Sequence, residues 1–289
     1  MALNSGQAIN LEDHLSIIAD TNLDVISRAS ALQMLSFTTQ TITMEVLKPY
    51  LQHQEPLIRL SAASAGALLS PAIRVLHLSP LLTDQFKVVR VATAKALLTD
   101  EISKTDQTIF DKAFKELIQA NNINSWRGEG MANIGVVALE MNQPNEAAKS
   151  FMKAIAIEPY FEAAYINLAD IYRAQKKPFQ VNSVLLKGIK NNPKSASLHY
   201  SYGLYFVRQK KLSEAISLFE KAMVLMPDNP QYAYTFVLAI DGEGKSQQAI
   251  TKLKALIGNY QNNAQLKELG LYLSQKLQSR SDYDWFMTK

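Results

Sequence analysis

The sequence predicts an all-α protein, an α-solenoid in which helix pairs stack one upon the next. Three observations lead there. Along the second half, proline, large and small positions return every 34 residues: Pro159, Pro193 and Pro227; Phe151, Leu185 and Phe219; Gly135, Ala169 and Gly203. Within the first hundred residues a period of 31 links Arg28, Arg59 and Arg90, and with them Leu47 and Leu78, Leu51 and Leu82, Ile58 and Val89, Pro49 and Pro80. After each of these arginines comes a segment dense in alanine and leucine, "RASALQML", "RLSAASAGALL" and "RVATAKALL", the composition of a buried helix.

Taking the elements in order, residues 11–100 read as three helix pairs. A short helix such as "LKPYLQH" or "LSPLLTD" precedes each alanine-rich one. The pattern resembles the short HEAT-like repeat, and the resemblance implies pairs that stack into a solenoid. The recurring arginine has two readings: it lines a groove for acids, or it tethers adjacent turns through a carboxylate or a helix carbonyl. The tether is favoured, with Asp24, Glu55 and Asp84 a few residues upstream as partners.

Next, "DQTIFDKAFKELIQANN" carries Ala113, Leu117 and Ala120 in register with a second helix, so it reads as a half repeat. The 34-residue units then run over 128–161, 162–195, 196–229 and, more weakly, 230–263. A mid-helix glycine costs about 1 kcal/mol relative to alanine, and is tolerated where two backbones approach closely. Gly135, Ala169 and Gly203 fill that role, as do Ala147, Ala215 and Ala249 on the second helix, while Phe151, Leu185 and Phe219 fill the remaining space. Each proline ends a second helix, because it lacks an N–H and disfavours α geometry before it. These features resemble the tetratricopeptide repeat. The fourth unit departs from it with Val237 for the small residue and Gln261 for proline. "AQLKELGLYLSQKLQ" and "DYDWFMTK" follow as C-terminal capping helices. Two domains are expected, 1–104 with HEAT-like repeats and 105–289 with the tetratricopeptide-like array.

Composition removes most chemistries. With no cysteine there is no disulfide, thiolate metal site, cysteine nucleophile or covalent haem attachment. His14, His53, His77 and His199 are scattered and form no ligand motif. Net charge is +4, with lysine and arginine mixed among acids, so nucleic acid is not an expected partner. No apolar run is long enough to span a bilayer. "MALNSGQAINLEDHLS" has neither a basic n-region nor an apolar h-region, so no signal peptide is expected.

Some stretches imitate chemistry. "DGEGKS" (Asp241–Ser246) ends like a phosphate-binding loop, but Ala239 stands where the first glycine belongs and no strand precedes it. It reads instead as the turn equivalent to "QPNE" at Gln143 and "KPFQ" at Lys177. In "HYSYGLYF", Tyr202 and Phe206 fall on core columns and Tyr200 on the other face. No metal, no catalytic residue and no cofactor in this chain is expected.

In a stack of such pairs the first helices line the inner, concave face. The positions on them not used for packing are Asn133, Val136 and Glu140; Ile166, Asn167, Asp170 and Arg173; Tyr200, Ser201, Leu204 and Arg208; and Tyr234, Thr235, Leu238 and Asp241. Tyrosine and asparagine here would bind an extended protein or peptide partner by ring contact and amide hydrogen bonds. Some tetratricopeptide domains hold a C-terminal carboxylate with lysines on this face, but Ile166, Tyr200 and Tyr234 stand at those positions.

"LSPLLTDQFKVVRVATAKAL", "AAYINLADIYRAQKK" and "SLHYSYGLYFVRQKKLSEAISLFEKAMVLMPDNPQYAYTFVLAI" together resemble the C-terminal region of a bacterial multihaem cytochrome c family. The resemblance implies a non-catalytic docking module, haem c only in an upstream domain, and a periplasmic location. The alternative is a free-standing tetratricopeptide adaptor or chaperone-like scaffold, which would be cytoplasmic.

Overall fold

The computed structural model describes residues 11–37, 41–104, 106–260 and 263–288; the side chains of residues 36 and 37 are not described. Among these residues there are helices and turns and no strand. Packing groups them into two compact units, drawn from Ala8–Ile157 and from Glu158–Lys289. The division lies within the 34-residue register, whereas the repeat type changes near residue 104.

The first unit begins with α1 (Leu11–Ala19) and α2 (Val25–Gln33), then α3 (Met44–Leu51) and α4 (Pro56–Ala65), then α5 (Pro71–Leu78) and α6 (Lys87–Ala96). The alanine-rich second helices pack on one another, α2 on α4 and α4 on α6. Their small residues allow this: Ala62, Ala63 and Ala94 are completely buried. The 31-residue columns are core columns, with Leu47, Leu78, Ile58 and Val89 also completely buried. One local expectation changes. "LSPLLTD" is a 3-10 turn (Ser79–Thr83) continuing α5, whereas the equivalent Pro49 lies inside α3.

The arginines are tethers, but their carboxylates come from downstream. Arg28 donates to the Ile18 carbonyl at 2.9 Å. Arg59 donates to both Asp84 oxygens and to the carbonyls of His53 and Gln54. Arg90 repeats the plan with Glu116 and the carbonyls of Asp84 and Gln85. Asp24 instead caps its own helix, accepting from the Ser27 N–H and hydroxyl, which removes it as a partner for Arg28. Glu55, at the N-cap of α4, forms no side-chain cap. A fourth such arginine, Arg74, pairs with Asp100 at 2.6 Å and with the Ala67 carbonyl. The unit ends with α7 (Gln107–Ile123), α8 (Gly128–Glu140) and α9 (Pro144–Ile157). As expected for a second helix, α7 buries Ala113 and Leu117.

The Glu158–Lys289 unit holds four helix pairs: α10 (Glu162–Ala174) with α11 (Pro178–Asn191), α12 (Ala196–Arg208) with α13 (Leu212–Leu225), α14 (Pro230–Gly242) with α15 (Ser246–Leu256), and α16 (Ala264–Lys276) with α17 (Arg280–Met287). Pro193 and Pro227 follow α11 and α13, as their missing N–H requires. Gln261 lies outside the described residues. Gly203 faces Phe219 so closely that an added Cβ would meet ring atoms at 2.5 and 2.7 Å. Gly270 meets Phe286 in the same way, so α16 and α17 form a further pair rather than isolated caps.

The turns inside the pairs share one device. Asn142, Lys176, Lys210, Gly244 and Gln278 all have positive φ, between 53° and 81°, and recur every 34 residues. After each, the next N–H reaches back six residues: Lys177 to the Tyr172 carbonyl at 2.9 Å, Lys211 to Phe206 at 3.0 Å, Ser279 to Ser274 at 2.9 Å. This left-handed C-cap satisfies carbonyls that the helix end would orphan.

Candidate functional site

The face made by the first helices of the Glu158–Lys289 unit, α10, α12, α14 and α16, carries most of the residues the sequence singles out. On α10, Ile166 and Asn167 are half-buried, while Asp170 and Arg173 are exposed and paired with each other at 2.9 Å. On α12, Ser201 and Leu204 are half-buried and Arg208 is exposed. On α14, the Thr235 hydroxyl donates to the Gln231 carbonyl at 2.8 Å and receives the Gln231 side-chain amide at 3.2 Å. Leu238 is exposed and Tyr234 half-buried. Asn133 and Glu140 are exposed and Val136 half-buried on α8, which belongs to the other unit.

Two expectations need correction. Asp241 is not a groove residue: it is buried, and accepts from the Ser246 hydroxyl at 2.5 Å and from Lys276 at 2.6 Å. The next first helix supplies that lysine, so the carboxylate binds α14 to α16. Tyr200 does not project freely from the packing either. Its ring centroid lies 5.5 Å from Phe219 and 5.0 Å from Tyr232, and it packs against the core. Tyr202 is buried as expected, its hydroxyl donating to Asn182 at 2.8 Å.

Between α14 and α16 the face opens into a cleft of about 580 Å³, lined by Gln231, Tyr234 and Leu238 on one side and Gln265, Glu268, Leu269 and Tyr272 on the other. Tyr234 and Leu238 were expected there. The α16 side was missed, because that helix read as a cap. The signal was present: stepping 34 residues from Gln231, Tyr234, Thr235 and Leu238 reaches Gln265, Glu268, Leu269 and Tyr272. The cleft offers two phenol rings, two primary amides, one carboxylate and a leucine floor. Such a surface grips an apolar or aromatic side chain and hydrogen-bonds the backbone beside it. It holds no nucleophile–base pair.

Antiparallel helix pairs at a fixed period, each turned by a left-handed residue, define a helical-repeat protein. The repeat is of a known kind: residues 129–161 match the Tetratricopeptide repeat family. Human Protein O-mannosyl-transferase TMTC3 is 26% identical over 147 residues, which is 50% of this chain and 16% of that protein. The chain therefore matches about one-sixth of that relative's length. Among solved structures, MamA is similar with a TM-score of 0.43 and 20% identity, covering 55% of this chain and 95% of its own. YrrB, a TPR protein with an unusual peptide-binding site, gives 0.45 and 15%, with 59% and 88% covered. PilF of Pseudomonas aeruginosa gives 0.48 and 21%, with 61% and 80% covered.

Proposed function

We propose that the chain is a non-catalytic docking module that takes an extended peptide segment of a protein partner on its first-helix face, in the manner of a tetratricopeptide adaptor or scaffold. The observation that supports this reading is the α14–α16 cleft, where Tyr234 and Tyr272 flank Leu238 and Leu269 and the amides of Gln231 and Gln265 supply hydrogen bonds. The residues of α10 and α12 extend the same face, and Asn133, Val136 and Glu140 belong to the corresponding first helix of the preceding pair. Placement at the C-terminus of a multihaem cytochrome, with haem upstream and a periplasmic location, finds no support in the matches. The free-standing adaptor fits them at least as well.

The test uses the full chain. Replacing Tyr272 with a photo-crosslinking phenylalanine analogue and panning a displayed peptide library should yield covalent adducts with a shared apolar or aromatic anchor. Tyr234→Ala with Tyr272→Ala should weaken the selected peptide by about 2 kcal/mol or more, the scale of a central anchor. Unchanged affinity in that double variant would remove the cleft from the reading.

A further inference from the structure

In the Glu158–Lys289 unit the helices alternate in direction, so the turns within pairs gather at one end of the stack and the turns between pairs at the other. Contacts join neighbouring inner turns: Ser213, opening α13, bonds Glu243, which follows α14, and Leu212 lies 3.7 Å from the Cβ position of Gly242. That end is basic. Two consecutive turns present Lys176, Lys177, Arg208, Lys210 and Lys211, all exposed, and none forms an ion pair with a described carboxylate. Elsewhere on the edge charge is neutralised locally, Lys245 by Glu243, Lys276 by Asp241 and Arg280 by Asp284.

The unevenness extends to the unit. Residues 158–289 hold 17 Lys and Arg against 11 Asp and Glu, whereas residues 8–157 hold 13 against 15. The net charge of +4 conceals this division. Beside the lysines stands Phe179, the second residue of α11, with 86% of its surface exposed. A large apolar ring left in water next to unpaired cations is a costly arrangement unless something covers it.

We propose that this edge docks the protein on an anionic lipid surface, with the lysines among the headgroups and Phe179 at the boundary with the acyl chains. The chemistry favours lipid over a folded or peptide acid. Four of the five free cations are lysines, compact point charges suited to a diffuse layer of phosphates; fixed carboxylate or phosphopeptide recognition uses the planar fork of arginine. Juxtaposed lysines feel the surface potential of anionic leaflets, and an adjacent aromatic ring prefers the interface. No described helix is long and apolar enough to cross a membrane, so the contact is peripheral.

Co-sedimentation of the full chain with phosphatidylcholine vesicles, with or without about 30 mol% phosphatidylserine, tests this. Binding to the anionic vesicles should be at least about tenfold tighter and should fade as salt rises. The variant Lys176→Gln, Lys177→Gln, Lys210→Gln, Lys211→Gln should lose about tenfold or more; Gln278 already occupies the equivalent left-handed position, so glutamine fits there. Phe179→Ser should weaken binding about threefold with the same salt dependence, and Lys187→Gln with Lys190→Gln, on the body of α11, should change nothing. Thermal melts of each variant confirm that the fold persists. The proposal is overturned by equal binding to neutral vesicles, by no binding to anionic ones, or by full binding of the quadruple variant. It is equally overturned if poly-glutamate or single-stranded DNA of matched charge displaces the protein from the vesicles.

Discussion

Arg59 and Asp84, 25 residues apart in sequence, meet in a two-point guanidinium–carboxylate pair, Nε to Oδ2 at 2.7 Å and Nη2 to Oδ1 at 3.1 Å, with under a tenth of either side chain exposed. The Asp84 carbonyl in turn accepts from Arg90 at 2.7 Å, and Arg90 passes on to Glu116. One residue therefore receives two arginines, one on its side chain and one on its backbone. This relay joins α4 to α6 and α6 to α7. Arg59→Ala should lower unfolding free energy by about 3 kcal/mol, because it leaves a buried carboxylate unpaired. Urea titration checks it, and the Arg59→Ala, Asp84→Ala double variant should cost less than the two single changes added.

The same pairs set an acid limit. Burial pushes the Asp84 carboxyl up, but the hydrogen bonds from Arg59 and the Phe86 N–H outweigh it and hold the group below its ordinary value. Glu116 is likewise lowered, chiefly by Arg90. Carboxyls lowered in the folded state contribute stability that is complete above their unfolded values, near 3.8 and 4.5, and is lost as pH falls through the folded ones. Melting temperature should therefore fall below about pH 4, and Asp84→Asn should flatten that decline while lowering stability at neutral pH.

Gly203→Ala should destabilise the protein by about 1–3 kcal/mol, since its Cβ would enter the Phe219 ring and the neighbours would have to shift. Phe219→Leu in the same chain should recover part of the loss, a coupling that a double-mutant cycle with thermal melts reads directly.

At the left-handed turns, Gln278 (φ 53°) carries a side chain where glycine is at ease, whereas Gly244 (φ 81°) already meets the demand. Gln278→Gly should raise stability by up to about 1 kcal/mol and Gly244→Ala should lower it by a similar amount. Opposite shifts in chemical denaturation midpoint are the expected result.

Tyr200→Ala should cost about 2 kcal/mol, because the ring packs on Phe219 and Tyr232. Tyr272→Ala should cost under about 1 kcal/mol, since half of that side chain is exposed at the cleft. Comparing the two by urea titration separates packing from surface on one face of the stack.

Periodicity made the core legible: a helix pair must return the same small and large residues to bury the same space, and Gly203 with Phe219 or Leu47 with Leu78 show it. What periodicity hides is who pairs with whom across repeats. Arg59 lies near Glu55 in sequence, yet takes Asp84, because stacking brings the next turn closer than the preceding one. Asp241 shared the register of an exposed position, but Lys276 from the following repeat drew it into the interior. Gly270 falls one residue short of the 34-residue step from Val237, and that single shift disguised α16, although Gln265, Glu268 and Tyr272 kept the step. Tyr200 shows the remaining limit: a residue can face the open side and still lean its ring on two neighbours.

The left-handed turns separate architecture from composition. Their reversal is imposed by main-chain hydrogen bonds, so asparagine, lysine, glycine and glutamine all occupy the same corner. A corner indifferent to its own side chain is a vacant mounting point. Short epitopes or metal-binding tags could be grafted at Lys210 or Gln278, and a row of them would be spaced by the stack itself, like labels on the spines of shelved books.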